Sequence, residues 1–365
     1  MKVLIAPDSF KGTATAAEVA EALAAGWNAV RGSDETVTLP QADGGEGTLA
    51  AVAASGAWNR RQITVDGPDG RPVTATWLHG TDGRAVVELA ESSGIALMAQ
   101  LDPWRAGTRG LGQVIGAALR AGARSIQVGL GGSAGTDGGA GVLIALGIKA
   151  FDSRGIPIAD GAYGLCDVDR VEVDGLAPLP PGGVEILVDT TAPLAGPQGA
   201  AAVFGPQKGA RPADIARLDD GLQRWCRALH AAGLPADPDS AGAGAAGGVG
   251  FGLMAWGARA ASGSERIASI TGLKDQLAQA DLLLTGEGRF DGTSWTGKLV
   301  GHLLGAAESA GVPAVVVAGQ VSAGAGVPTV SLTELAGSPD AAMADPRRWL
   351  YAAGSAAARN VSSVT

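Results

Sequence analysis

Several short loops of this 365-residue chain combine glycine with acidic residues, with lysine or with both. The first of these loops, residues 6–12, directly follows a predicted strand and contains Asp8, Ser9 and Lys11. Asp8 could bind a metal ion or accept a proton, and Lys11 could contact a phosphate or a carboxylate. The alternative is structural, because Asp and Ser side chains also cap turns.

A second loop, residues 41–48, follows another predicted strand and begins a helix. It contains Asp43, Gly44, Gly45 and Glu46. Backbone N–H groups at a glycine-rich helix start bind anions. Two acids in the same loop suit that role only when a metal ion stands between them and the phosphates. The loop is equally well explained as a capped helix whose acids favour the N-terminal dipole.

The third loop, residues 129–141, is the richest in glycine. Gly131, Gly132 and Ser133 follow a predicted strand, and Asp137 comes four residues later. Small residues let the backbone approach a ligand closely. The pattern therefore indicates a binding loop with a carboxylate beside it.

Two further regions combine strand ends with charged residues. Asp189 ends an apolar strand, and Lys208 follows in a loop at residues 204–210. The fifth loop, after the strand predicted at residues 281–285, contains Glu287, Arg289, Asp291 and Lys298. The chain has only six lysines, and three of them, at positions 11, 208 and 298, lie next to glycine. A compact ammonium on a flexible stem suits a phosphate site.

Two other patterns only resemble nucleotide-binding motifs. Residues 292–298 have the GxxxxGK spacing of a P-loop, but the next residue is Leu299 where Ser or Thr should bind Mg²⁺. Residues 242–247 match GxGxxG, but no strand precedes them. We therefore reject a P-loop protein and interpret residues 242–247 as a close-approach or hinge loop.

Histidine and cysteine are absent from all five loops. The three histidines lie elsewhere, and no zinc-ligand spacing is present. The two cysteines, Cys166 and Cys226, fit a reducing cytosol. A site of Asp, Lys and Gly favours Mg²⁺-dependent phosphoryl transfer, in which one carboxylate accepts the hydroxyl proton.

Composition limits the class of partner. The net charge of −9 argues against nucleic acid. The apolar start at residues 3–6 is too short for a signal peptide, and no run is long enough to span a membrane. We expect a soluble cytoplasmic protein, monomeric or homodimeric, that binds a small molecule.

Strands and helices alternate along most of the chain, which predicts parallel sheets with helices on both faces. A β-hairpin at residues 61–78 interrupts this alternation, and no element is predicted after about residue 330. We expect an α/β protein with a Rossmann/flavodoxin-like domain at residues 1–60 plus 276–365. A second α/β domain, residues 61–275, would be inserted in it, with the active site in the cleft between them.

Residues 6–12, 42–48, 129–141, 204–210 and 285–298 resemble, in this order, motifs of the bacterial glycerate kinase family. The resemblance covers roughly residues 1–320. It implies two α/β domains and the transfer of a phosphoryl group from ATP to D-glycerate with Mg²⁺. The product would be 2-phosphoglycerate or 3-phosphoglycerate. Several neighbours of the acids and lysines differ from the family pattern, which leaves the specificity open.

We also assign hypothetical roles to individual residues. Catalytic roles are expected for Asp189 or Asp137 as proton acceptor, and for Lys11 and Lys298. Metal binding is expected from Asp8, Asp43 and Asp291. Binding of ATP or the substrate carboxylate is expected from Ser9, Gly44, Gly45, Arg109, Gly131, Gly132, Ser133, Lys208, Glu287 and Arg289.

Other functions are also compatible with these residues. The protein could be a nucleotide-binding regulatory protein without turnover, or a kinase of another small hydroxy acid. A dehydrogenase of hydroxy acids would need a GxGxxG loop directly after a strand, and the chain lacks one.

Overall fold

The computed structural model describes residues 1–56, 58–295, 299–322 and 326–361. Its strands are β1 (Lys2–Ile5), β2 (Glu35–Thr38), β3 (Trp58–Asp66), β4 (Pro72–Gly80), β5 (Arg84–Glu88), β6 (Ser125–Gly129), β7 (Lys149–Asp152), β8 (Val168–Glu172), β9 (Val184–Leu187), β10 (Arg259–Ala261), β11 (Leu282–Phe290), β12 (Ala314–Val321) and β13 (Thr329–Ser331).

Its helices are α1 (Ala16–Val30), α2 (Thr48–Ala54), α3 (Ala90–Ser93), α4 (Arg109–Arg120), α5 (Ala140–Ala145), α6 (Ala162–Asp167), α7 (Ala200–Phe204), α8 (Pro212–Ala231), α9 (Ala245–Trp256), α10 (Gly263–Thr271), α11 (Leu273–Leu277), α12 (Leu299–Ala310), α13 (Leu332–Ala336), α14 (Pro339–Ala344) and α15 (Pro346–Asn360). No helix in the described part of the chain is long and apolar enough to cross a membrane.

The chain divides into two compact units. The first unit consists of Met1–Asp43, Ala50–Gly56 and Ser264–Thr365. The second unit consists of Gly44–Leu49 and Ala57–Gly263. Each unit has its own main sheet, and the second unit also contains the small antiparallel sheet of β7 and β8.

The first unit contains a five-stranded parallel sheet with the order β2-β1-β11-β12-β13. Numbered along this unit alone, the order is 2-1-3-4-5, which is the flavodoxin-like arrangement. The central strands β1 and β12 and the first half of β11 are apolar and buried, because helices cover both faces of such a sheet, whereas the edge strand β2 is more polar. The strand order reverses between β1 and β11, and this switch point is where ligands bind in open α/β sheets.

Two helices of this unit, α1 and α15, pack unusually closely. A Cβ atom at Gly26 would lie 2.0 Å from the carbonyl oxygen of Tyr351, and one at Gly354 would lie 2.2 Å from that of Leu23. The α1 helix starts with a capping box, since Thr15 and Glu18 exchange side-chain-to-backbone hydrogen bonds. The helix α15 lies in the region for which no element was predicted.

The second unit contains a six-stranded mixed sheet with the order β10-β9-β6-β5-β4-β3. Four neighbouring strands, β10, β9, β6 and β5, are parallel, whereas β4 and β3 form the hairpin expected at residues 61–78. The two units together confirm the predicted α/β class with mostly parallel sheets.

Candidate active site

The first group of charged residues lies at the switch point of the first unit. Asp8 follows β1, and its backbone N–H donates to the carbonyl of Gly286 on β11 over 2.8 Å. Ser9 N–H donates to Asp8 Oδ1 over 2.6 Å. Burial, the nearby Asp43 carboxylate and, to a lesser degree, Glu287 raise the pKa of Asp8 to about 7, against the opposing effects of the Ser9 N–H and the Lys11 ammonium. The structure thus brings three acids and one lysine together.

Glu287 and Arg289 lie on a strand and not in a loop. The strand predicted at residues 281–285 continues as β11 to Phe290, where it pairs with β12 at Val321. Asp291 follows directly and forms an ion pair with Arg289 over 3.2 Å. Its Oδ1 also accepts the N–H and the O–H of Thr293, over 2.9 and 2.6 Å. Asp291 therefore stabilises the turn after β11. Lys298 lies outside the described residues.

The second unit presents a row of strand ends at one edge of its sheet. Glu88, Gly129 and Leu187 are aligned across β5, β6 and β9, and Ala261 of β10 is opposite Leu187. The residues that follow these four strands therefore share the carboxyl edge of the parallel part of the sheet.

The glycines predicted in the second and third loops contact each other at this edge. A Cβ atom at Gly131 would lie 2.3 Å from Gly45 Cα, and one at Gly129 would lie 2.6 Å from Gly44 O. Gly131 N–H points to Gly44 O over 3.4 Å. No larger residue fits at positions 129 and 131, because the obstacle is backbone. The density of glycine in these loops thus has a packing cause.

Glu88 was missed in the sequence. Its two carboxylate oxygens accept the N–H groups of Gly47 and Leu49, both over 3.0 Å, at the start of α2. The side chain is 4% exposed, and this burial raises its pKa to about 7 against the effect of the two N–H donors. Glu88 therefore accepts hydrogen bonds from backbone N–H groups of the loop that the sequence indicated as an anion-binding site. The sequence did contain a signal for Glu88, because this acid directly follows the apolar residues Val86 and Val87. Asp189 follows an apolar strand in the same way.

Asp137 is completely buried and accepts four hydrogen bonds. Its Oδ2 accepts the N–H and the O–H of Thr108, over 3.0 and 2.7 Å, and the N–H of Gly141 over 3.2 Å. Its Oδ1 accepts Gly139 N–H over 3.0 Å. Burial raises the pKa of Asp137, whereas these donors favour the carboxylate. Asp137 joins the starts of α4 and α5.

Lys208 is also buried, with 2% of its surface exposed. Its Nζ donates to Ser133 Oγ over 2.7 Å and to the carbonyl of Gly135. Burial lowers the pKa of Lys208 to about 7, while the charge of Asp137 opposes this shift. Ser133 and Lys208 are therefore brought together, but Lys208 is turned toward the protein interior.

Asp189 differs from Asp137 because it is exposed. It follows β9, and its Oδ1 accepts Gly263 N–H over 3.1 Å and Ser262 O–H over 3.3 Å. Arg109 is the first residue of α4, and its Nη2 donates to Asp160 Oδ1 over 2.6 Å. The structure thus presents one carboxylate at the sheet edge and gives Arg109 an acidic partner.

Comparison with known proteins decides the family. Residues 3–362 match the model of the glycerate kinase family. The chain is 39% identical to glycerate 2-kinase of Escherichia coli over 332 residues, covering 90% of this chain and 87% of the relative. It is also 39% identical to glycerate kinase of Bacillus subtilis over 327 residues, covering 88% and 86%. The chain belongs to the glycerate kinase family.

The fold agrees with this membership. A crystal structure from Salmonella typhimurium LT2, assigned as glycerate kinase 2, superimposes with a TM-score of 0.82 at 35% identity. The match covers 100% of this chain and 98% of the other. The resemblance seen in the five motifs is confirmed, and so is the expectation of a kinase with a nucleotide and a small-molecule substrate. The roles of individual residues stay predictions.

Proposed function

We propose that this member of the glycerate kinase family transfers the γ-phosphoryl group of ATP to a hydroxyl group of D-glycerate, with Mg²⁺. The observation that carries the proposal is the group of Asp8, Asp43, Glu287 and Lys11 at the switch point of a flavodoxin-like sheet. Family membership and the names of the relatives support the choice of glycerate.

The acids of the first unit fit a magnesium ion. Within the described ranges, no three His, Cys, Asp or Glu side chains are arranged to hold a metal by themselves. Mg²⁺ usually binds one or two carboxylates and takes its other ligands from phosphates and water. Asp8 and Asp43 supply such a pair, and burial together with the charge of Asp43 raises the pKa of Asp8. A bound cation would offset the negative charge of the two carboxylates.

In this proposal Asp8 and Asp43 would hold Mg²⁺, which supplies charge neutralisation at the phosphates when bound. Lys11, exposed beside Asp8, would contact phosphate oxygens. Asp291 keeps Arg289 oriented at the end of β11 through their ion pair. The first unit would therefore bind the nucleotide.

We propose Asp189 as the proton acceptor. A general base must come within hydrogen-bond distance of the hydroxyl from which it takes the proton. Asp189 is exposed at the end of β9, whereas Asp137 is fully buried and already accepts four hydrogen bonds. The neighbouring strand β6 leads into residues 131–133, whose backbone would contact the glycerate. Asp137 would have a structural role.

A coupled assay tests the proposal. ADP formation would be followed with D-glycerate, L-glycerate, tartronate and related hydroxy acids, with and without Mg²⁺. Coupling to enolase identifies the product, because enolase converts 2-phosphoglycerate directly and 3-phosphoglycerate only after addition of a mutase. Turnover of another hydroxy acid in place of D-glycerate would show that the proposed substrate is wrong. Nucleotide binding without turnover of any acid would favour a regulatory protein. The cytoplasmic location and the oligomeric state stay predictions.

A further inference from the structure

The start of α9 has an unusual backbone conformation. Three consecutive residues are left-handed there: Ala246 with φ 56°, Gly247 with φ 72° and Gly248 with φ 89°. Ala246 is the only residue other than glycine with a positive φ in the part of the chain that the structure describes. A non-glycine residue in this region is strained by roughly 1–2 kcal/mol. The surrounding contacts must therefore compensate for this turn, which overlaps the GxGxxG pattern.

The turn at residues 246–248 packs backbone against backbone on the third loop. Gly247 O accepts the N–H of Gly138 over 3.0 Å. A Cβ atom at Gly247 would lie 2.2 Å from Gly135 O and 2.7 Å from Thr136 Cα, and one at Gly248 would lie 2.8 Å from Gly138 Cα. The turn thus covers residues 135–138 directly, which is the close approach that the sequence suggested.

Lys208 completes this arrangement. The Cβ position of Gly247 is only 2.9 Å from Lys208 Nζ, so the absence of a side chain at residue 247 makes room for the ammonium. Lys208 Nζ donates to Ser133 Oγ and Gly135 O, on the same loop that the turn covers. A buried ammonium is costly unless it is hydrogen-bonded or paired. The two acceptors and the nearby charge of Asp137 meet this requirement.

We infer that Lys208 is a positioning residue that holds residues 131–135 in the conformation that binds the hydroxy acid, and that Lys208 itself touches no substrate. The inference rests on the proposed function and narrows it, because Lys208 was expected among the ligand-binding residues. This loop follows β6, and the neighbouring strand β9 leads to Asp189. A displacement of the loop would therefore disturb binding of the hydroxy acid. The turn at residues 246–248 supplies the space for Lys208.

Steady-state kinetics of Lys208→Met test the inference. Methionine keeps an apolar stem of similar length and removes the ammonium. We expect kcat/KM for glycerate to fall roughly 10–100-fold, as for a small displacement of binding groups. The KM for ATP should change less than about threefold, since ATP contacts other groups. The matched control is Lys149→Met, which replaces an exposed lysine on β7 of the same unit and should behave as wild type.

A double-mutant cycle of Lys208→Met with Ser133→Ala tests whether Lys208 acts on substrate binding through its hydrogen bond to Ser133. If Lys208 acts through Ser133, the double variant loses much less activity than the product of the single losses. Independent effects of the two variants would contradict the inference, and so would a Lys208→Met enzyme with unchanged kinetics. Inactive wild-type protein would instead contradict the proposed function.

Two measurements need no turnover. Mass spectrometry after mild amine acetylation should show Lys208 modified far more slowly than Lys149, with or without glycerate. Hydrogen exchange of the amides at residues 133–138 should be faster in Ser133→Ala than in wild type. Rapid labelling of Lys208 that glycerate suppresses would show a ligand contact and overturn the inference. These tests remain valid even if Lys208→Met does not fold.

Discussion

At the scale of single residues, three aspartates of similar sequence context have different surroundings. Asp8 lies beside other acids, Asp137 is buried with four donors, and Asp189 is exposed at a strand end. A carboxylate that shares its site with another acid is suited to a cation, and one surrounded by donors is suited to holding backbone. Only an accessible carboxylate can take a proton from a substrate.

The first prediction concerns Asp189 and Asp137. Asp189→Asn should lower kcat by about 10²–10⁴-fold with little change in unfolding free energy, because it removes a proton acceptor. Asp137→Asn should instead destabilise the fold by roughly 1–3 kcal/mol, because the amide NH₂ would face N–H donors. Kinetics and urea denaturation of both variants check this. Normal turnover by Asp189→Asn would reject Asp189 as the base.

The second prediction concerns pH and Asp8. The pKa of Asp8 is raised from 3.8 to about 7 in the folded protein, so in this pH window the folded state binds a proton that the unfolded state lacks. The free energy of unfolding therefore falls as pH rises through this window. Asp8→Asn should be more stable than wild type above the folded-state pKa, by on the order of 1 kcal/mol, yet inactive.

The control for this prediction is the same comparison below the lower of the two pKa values. There the carboxyl is protonated in both states, and the two proteins should unfold with similar free energies. The measurement is denaturation across pH in the absence of divalent cations. A constant difference between the proteins at every pH would show that burial of the Asp8 charge is not the cause.

At the scale of elements, the contact between α1 and α15 depends on glycine. Gly26→Ala should destabilise the protein by about 2 kcal/mol or more, because the new Cβ would overlap a backbone oxygen that cannot move alone. Gly305→Ala on α12 is the matched control. Its Cβ would meet no atom within 4 Å, so it should stabilise the helix by roughly 0.5–1 kcal/mol. Urea midpoints of both variants, compared with wild type, measure the difference.

The contact between Glu88 and α2 belongs to the same scale. Glu88→Ala should leave the N–H groups of Gly47 and Leu49 without their carboxylate and destabilise the protein by roughly 1–3 kcal/mol. Glu88→Gln keeps one acceptor and should lose less. Thermal unfolding of the two variants checks the order. Equal stability of Glu88→Ala and wild type would mean that solvent replaces the carboxylate.

At the scale of the whole molecule, nucleotide binding should be visible as stability. A ligand at about a hundred times its Kd stabilises the native state by about 2.7 kcal/mol. ATP with Mg²⁺ should therefore raise Tm, and ATP with a chelator should raise it less. In Asp8→Asn this dependence on Mg²⁺ should disappear. Scanning fluorimetry measures all four conditions, and identical shifts with and without Mg²⁺ would argue against the proposed metal ligands.

Much of the molecule is determined by local signals in the sequence. The capping box of α1, the hairpin at residues 61–78 and the alternation of apolar strands and helices depend on neighbours within a few residues. The order of the five glycine-containing motifs along the chain also indicates the family. The parallel sheets and the kinase class could therefore be predicted.

Burial and long-range pairing were decided only in the tertiary structure. Asp137 and Asp189 are the same chemical group, and Lys208 contacts Ser133 from 75 positions away. The close packing of α15 on α1 and the hydrogen bonds of Glu88 also depend on residues that are far apart in the sequence. A charged side chain becomes a base, a metal ligand or an internal support according to the atoms around it, and those atoms come from distant parts of the chain.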